Sequence, residues 1–125
     1  MASIRQQQVA SVIQREFSMV LYQEGAYIYG TEPLVTVTQV IVTPDLSEAK
    51  IYLSVYNIED KQTVLLELED NLVRLRQLLS SRIRKKVRRI PKIALYYDDT
   101  LDEMYRINAL FDKLEADNQM GKKEL

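Results

Sequence analysis

"LVTVTQVIVTPDLSEAKIYLSV", residues 34–55, holds two runs of alternating and β-branched residues on either side of a proline-containing turn. β-branched side chains have little χ1 freedom left to lose, so they favour the pleated strand over the helix. In the second run Ile51, Leu53 and Val55 alternate with Tyr52 and Ser54, the period of a strand with one apolar face. Pro44 fixes φ between the runs, and Asp45 can hydrogen-bond its own backbone, which makes "PDLSE" a turn. The stretch therefore reads as an antiparallel β pair. Its second face, carrying Tyr52, Ser54 and Tyr96, is expected to be the more solvated one.

Working outward from this pair, the spacing becomes helical on both sides. Val9, Val12, Ile13, Phe17, Val20 and Leu21 recur at three and four residues, one apolar face of a helix, while Gln14, Arg15, Gln23 and Glu24 lie elsewhere. Ser3 with Gln6 three residues on can open this helix as a capping box. Gly25 and Gly30 bracket "AYIY", which is expected to be a non-helical connection. Beyond the pair, Val64, Leu68, Leu72, Leu75, Leu79, Ile83 and Val87 step by four or three, a second helix that Pro91 ends. "KIALYY" then restarts as a strand with Ile93 and Leu95 on the core face. Thr100 and Glu103 form a second capping-box pattern, followed by the apolar stripe Met104, Ile107, Leu110, Phe111 and Leu114, so a last helix is expected there.

The order is thus α-β-β-α-β-α. A helical crossover brings the third strand in parallel to the second, giving an α+β fold: a three-stranded mixed sheet covered by helices on one face. Residues 1–115 form one domain, and residues 116–125 a flexible polar tail.

Composition narrows the chemistry. The 125 residues include no cysteine and no histidine, which removes the thiol nucleophile, cysteine-ligated zinc, the commonest general base and the commonest metal ligand. No glycine motif for a nucleotide phosphate is present, and no window is long and apolar enough for a membrane span or a cleaved leader. An enzyme, a resident cofactor or metal, a small-molecule substrate and a membrane are accordingly not expected, and the cytoplasm is the expected compartment. With no spare apolar stripe, a monomer is expected.

Charge is the exception to this plainness. The formal net charge is −1, from 17 cations and 18 acids, yet between Asp70 and Asp98 there is no acid at all. That gap holds Arg74, Arg76, Arg82, Arg84, Lys85, Lys86, Arg88, Arg89 and Lys92. Like charges three and four apart on a helix repel, and within the gap no i,i+4 acid offsets them, so stability alone would have favoured mixed signs. If the helix is continuous, Arg74, Lys85, Arg88 and Arg89 lie opposite the leucine stripe and face water. Arginine forks and lysine ammonium groups meet phosphates with release of condensed counterions, so a polyanion, nucleic acid above all, is the natural partner. The alternative is an adaptor whose basic helix binds an acidic protein.

The run "VTVTQVIVTPDLSEAKIYLSV", the later "RIPKIALYYDDTLDEMYRI" and the opening helix "VIQREFSMVL" resemble, in that order, the ribosome-binding factor A family. The resemblance covers about residues 4 to 115. It implies a KH-like fold of type II, in which a helix interruption replaces the glycine loop that normally grips nucleic acid. It also implies a non-enzymatic cytoplasmic assembly factor that binds the small ribosomal subunit and its rRNA late in maturation, is linked to growth in the cold, and uses the cations from Arg74 to Lys92. Where the family commonly has a small residue, any residue and glycine at the interruption, this chain has Asn71 to Val73, leaving both a kinked and a continuous helix open. The loop "EGAYIYGTEP" does not follow the family pattern, so contacts made by that loop are not carried over.

Two further constellations have plainer explanations. Asp98, Asp99, Asp102 and Glu103 could form a metal or acid–base cluster, but acids before and inside a helix start are what the helix dipole and capping favour. Tyr22, Tyr27 and Tyr29 could stack on unpaired bases, although tyrosines near a helix end more often close the edge of a core.

Overall fold

The computed structural model describes residues 2–98 and 104–107, with Met104–Arg106 described by their backbone. Helix α1 (Ile4–Tyr29) opens with the expected capping box: the Ser3 hydroxyl accepts from the Gln6 amide and the Gln6 side chain accepts from the Ser3 amide. Gln6 then donates its side-chain amide to the Val42 carbonyl at 2.8 Å, tying the helix start to the end of a strand. Val9, Ile13, Phe17, Val20 and Leu21 are buried along one face, as their spacing requires.

Gly25 does not end this helix. It sits buried in the last turns, where the missing Cβ leaves room for the phenol ring of Tyr29. The helix stops at Gly30, whose φ of 88° is open to glycine and costly for other residues.

Strands β1 (Leu34–Val42) and β2 (Glu48–Tyr56) form the expected antiparallel pair. A bulge at Thr38 shifts the register between Val37 and Gln39. Strict alternation from Val35 and Val37 would have turned Val40 and Val42 to the wrong face; the extra residue resets the phase, so Val40 and Val42 join the core opposite Ile51 and Ala49. In the turn between the strands, the Asp45 carboxylate accepts from the Thr43 hydroxyl (2.8 Å), the Ser47 amide (3.1 Å) and the Ser47 hydroxyl (2.7 Å). These three bonds hold its pKa down at about 2.

The crossover consists of two helices, α2 (Lys61–Asp70) and α3 (Leu72–Ile83), which meet at Asn71. Asn71 has φ −102° and ψ 14°, and its side-chain amide donates to the Glu67 carbonyl at 2.8 Å. The Asn71 backbone amide is shared between the Glu67 and Leu68 carbonyls, both at 3.2 Å, so the helix tightens at this residue, and the side-chain bond to Glu67 is the local side-chain-to-backbone contact that suits asparagine to helix ends. An interruption thus occurs without glycine. Val64, Leu65 and Leu68 from α2 and Leu75, Leu79 and Ile83 from α3 keep one apolar face through the break.

Strand β3 (Lys92–Asp98) returns parallel to β2, with Glu48 opposite Lys92 and Leu53 opposite Tyr97. These three strands form a mixed sheet covered by helices on one face, and Val55, Leu53, Ile51, Ile93 and Leu95 meet α1, α2 and α3 in a continuous core. One strand was not expected. Met104–Arg106 form β4, antiparallel to β3, where helical spacing had placed part of the last helix; helix begins only at Ile107, which is fully buried. The free edge of β3 offers unpaired amides and carbonyls, and pairing with them outweighs a three-residue helical propensity. The proposed cap at Thr100, the rest of that helix and the tail from 116 lie outside the described residues.

The second sheet face also departs from expectation. Tyr52 and Ser54 are buried and Tyr96 is half-buried. Their strands are interior to the sheet, so side chains on both flanks cover them: Tyr52 packs on Tyr96 with ring centroids 5.1 Å apart, Lys50 lies over Tyr96, and the Ser54 hydroxyl donates to the Asp98 carbonyl.

Candidate nucleic-acid interface

The nine cations divide by the elements that hold them. Arg74, Arg76 and Arg82 lie on α3; Arg84, Lys85, Lys86, Arg88 and Arg89 follow it in a turn and bend; Lys92 opens β3. The helix does not continue through Val87 to Pro91. It ends at Ile83, with the amides of Lys86 and Val87 both donating to the Ile83 carbonyl, so the expected single strip of Arg74, Lys85, Arg88 and Arg89 is a strip on α3 that runs on into an irregular segment. Repulsion among clustered cations disfavours a longer helix, while their position at the α3 C-terminus meets the negative end of its dipole.

That segment is nevertheless anchored. Val87 and Pro91 are buried, and the Lys92 amide donates to the Ser47 carbonyl at 2.9 Å. Around these anchors Arg84, Lys85, Arg88 and Arg89 are exposed and have no side-chain partner among the described residues. Lys92 is likewise exposed, and its neighbour across the ladder is Glu48, without an ion pair between them among the described residues.

The other four cations are engaged. Arg76 donates through Nε (3.3 Å) and Nη2 (2.9 Å) to the Ile93 carbonyl, fastening α3 to β3. Arg74 pairs with Glu24 at 3.4 Å, and Arg82 reaches both Glu16 (3.5 Å) and the Gln23 side-chain oxygen (3.4 Å). Lys86 pairs with Glu16 at 3.1 Å.

Glu16 is the residue that sequence reasoning missed. It is 7 % exposed and sits between Ile13 and Phe17 on the buried side of α1. The Lys86 hydrogen bond holds its carboxyl below the usual range, against the opposing effect of burial, and the charges of Lys86, Arg82 and Arg15 add to the lowering. Its spacing from Ile13 and Phe17 was a legible signal, because an acid on an apolar face needs a cation from elsewhere. Among the described residues, two carboxylates, Glu16 and Glu24, make ion pairs with cations among these nine.

The alternative sites are accounted for differently. The Asp98 carboxylate accepts from the Thr38 hydroxyl at 2.6 Å, a bond that uses the bulge residue of β1, and no acidic cluster able to hold a metal occurs among the described residues. Asp99, Asp102 and Glu103 lie outside the described residues. Tyr29 packs partly against the core, but Tyr22 and Tyr27 are exposed and do not close its edge. Both stand on α1, which continues as helix where a connection was expected.

A mixed sheet backed by three helices, with a two-helix crossover interrupted at Asn71 and a cationic strip leading out of its second half, defines an α+β domain of the KH-like class. The family model described as Ribosome-binding factor A matches residues 5–111, and the chain belongs to that family. Ribosome-binding factor A of Cytophaga hutchinsonii is 40% identical over 114 residues, covering 91% of this chain and 85% of that protein. The protein of the same name from Prosthecochloris aestuarii is 37% identical over 123 residues, covering 98% and 97%. Among solved structures, the crystal structure of ribosome-binding factor A from Thermus thermophilus superposes with a TM-score of 0.54 at 21% identity, covering 72% of this chain and 92% of that one, a likeness of fold. Among the described residues no helix is long and apolar enough to cross a membrane.

Proposed function

We propose that this chain is a non-enzymatic ribosome assembly factor that binds the small ribosomal subunit and its rRNA in the cytoplasm and assists late rRNA maturation as a monomer. Family membership supports the partner. The observation that carries the contact surface is the exposed group Arg84, Lys85, Arg88 and Arg89, free of carboxylates among the described residues and held in place by buried Val87 and Pro91. Arg74, Arg82 and Lys86 flank it and complete the strip, Lys92 extends it toward β3, and Arg76 supports it from behind.

Structured RNA hides its base edges in a deep, narrow groove, so phosphate contacts and shape supply most of the recognition. Binding energy spent on one rRNA conformation shifts the population toward it, and no bond-making residue is required. Co-sedimentation with precursor and mature small subunits tests the proposal directly. With about five phosphate contacts, log affinity should fall against log salt with a slope of about −3.5 to −4.5. Reversing Arg84, Lys85, Arg88 and Arg89 to glutamate should abolish co-sedimentation while the fold melts as before. A flat salt dependence, or binding retained by that variant, would overturn it; capture of an acidic protein in place of RNA would mark an adaptor instead.

A further inference from the structure

We infer that Tyr27 is a stacking platform for an unpaired base at the α1 end of the cationic strip, so that the bound RNA presents a single-stranded nucleotide there; the inference rests on the RNA-binding reading above. Tyr27 is 87 % exposed and Tyr22 84 %, the two most exposed large apolar side chains among the described residues. Only one of them faces the strip. Gln23 and Glu24 are the α1 residues that touch Arg82 and Arg74, so their directions mark the side of α1 turned to α3. At about 100° per residue, Tyr27 projects about 40° from Gln23 and about 60° from Glu24, between the two and one turn further along. Tyr22 projects about 100° to the other side of Gln23, toward a groove of about 370 Å³ that it lines with Leu21, Ala26, Tyr29 and Leu34.

The level along the helix axes agrees. Glu16 pairs with Arg82 and Lys86, and Glu24 pairs with Arg74, so α1 and α3 run antiparallel. Three residues beyond Glu24, Tyr27 is therefore level with the start of α3, the end that carries Val73, 66 % exposed, and Arg74, whose side chain is 61 % exposed. An exposed aromatic ring next to an exposed arginine, at the end of a run of cations, combines the two elements by which proteins hold single-stranded RNA: a π-face for the base and cations for its phosphates. A tyrosine contributing only to stability would lie against the core, as Tyr29 does.

The test compares a short single-stranded RNA carrying 2-aminopurine with a fully paired duplex of the same sequence. Y27A should bind the single strand about five- to a hundredfold more weakly, lose the 2-aminopurine quenching seen with the wild type, and keep both the salt slope and the duplex affinity. Y27F should retain binding and quenching, and Y22A should match the wild type. Unchanged single-strand affinity and quenching in Y27A would overturn the inference, as would an equal loss on the duplex. If wild-type protein binds neither probe, or the fourfold charge reversal leaves binding intact, the RNA-binding reading falls and this inference with it; loss on charge reversal with no effect of Y27A removes the inference alone.

Discussion

Two carboxylates show how single residues tie local chemistry to stability. Glu16 is buried in α1 with its charge met by Lys86, and folding lowers its pKa. A carboxyl whose folded pKa lies below the unfolded value of 4.5 stabilises fully above that value and ceases to do so as pH falls through the folded one. E16Q should therefore cost about 1 kcal/mol at neutral pH, the charge-assisted bond discounted for the half-exposed lysine, and flatten the loss of stability on acidification below pH 4.5. Urea midpoints across that pH range measure both. Asp45 acts in a lower window. Its pKa falls from 3.8 to about 2 through the Ser47 and Thr43 bonds, so its contribution is complete above pH 3.8 and disappears toward pH 2. D45N should remove the pH dependence in that interval while leaving the Glu16 window in place.

At the scale of elements, cations with different partners should respond differently to the same substitution. Arg76 closes the Ile93 carbonyl onto α3, so R76M should lose about 1–2 kcal/mol in chemical denaturation while the salt slope of RNA binding stays unchanged. Arg88 has no such partner among the described residues, and R88A should leave stability within about 0.5 kcal/mol while lowering the salt slope by about 1. Val87 joins the two properties. Its buried side chain pins the segment that displays Arg84 to Arg89, so V87A should cost about 1–2 kcal/mol and weaken binding with no change of charge, which a titration at fixed salt alongside a melting curve will show.

For the whole molecule, the consequence is a separation of sign along the chain. Nine of the 17 cations lie in a stretch without acids, so the remainder is strongly acidic although the total is −1. On the proposed RNA-binding reading, the exposed cations Arg84, Lys85, Arg88 and Arg89 steer the protein to the polyanion with that segment first. Association rates with precursor subunits should therefore fall steeply with ionic strength while dissociation rates change less, an outcome that stopped-flow mixing at several salt concentrations reads directly.

Much of this was legible in the sequence because the signals are local. The capping box at Ser3 and Gln6, the Asp45 turn, the apolar faces of the helices and the clustering of cations all depend on residues within a few positions, where helix and strand periods act, and the parallel return of β3 follows from the helical crossover between two strands. What only the tertiary structure decided are the meetings of distant residues. Lys86 finds Glu16 across 70 positions and Thr38 finds Asp98 across 60, and these contacts sort bound cations from free ones and bury a face expected to be solvated. Met104–Arg106 read as helix until the edge of β3 pairs with them. Local pattern sets which faces are apolar and where charge collects, whereas partner choice depends on which surfaces chain topology brings within a few ångströms, and no short-range period encodes that.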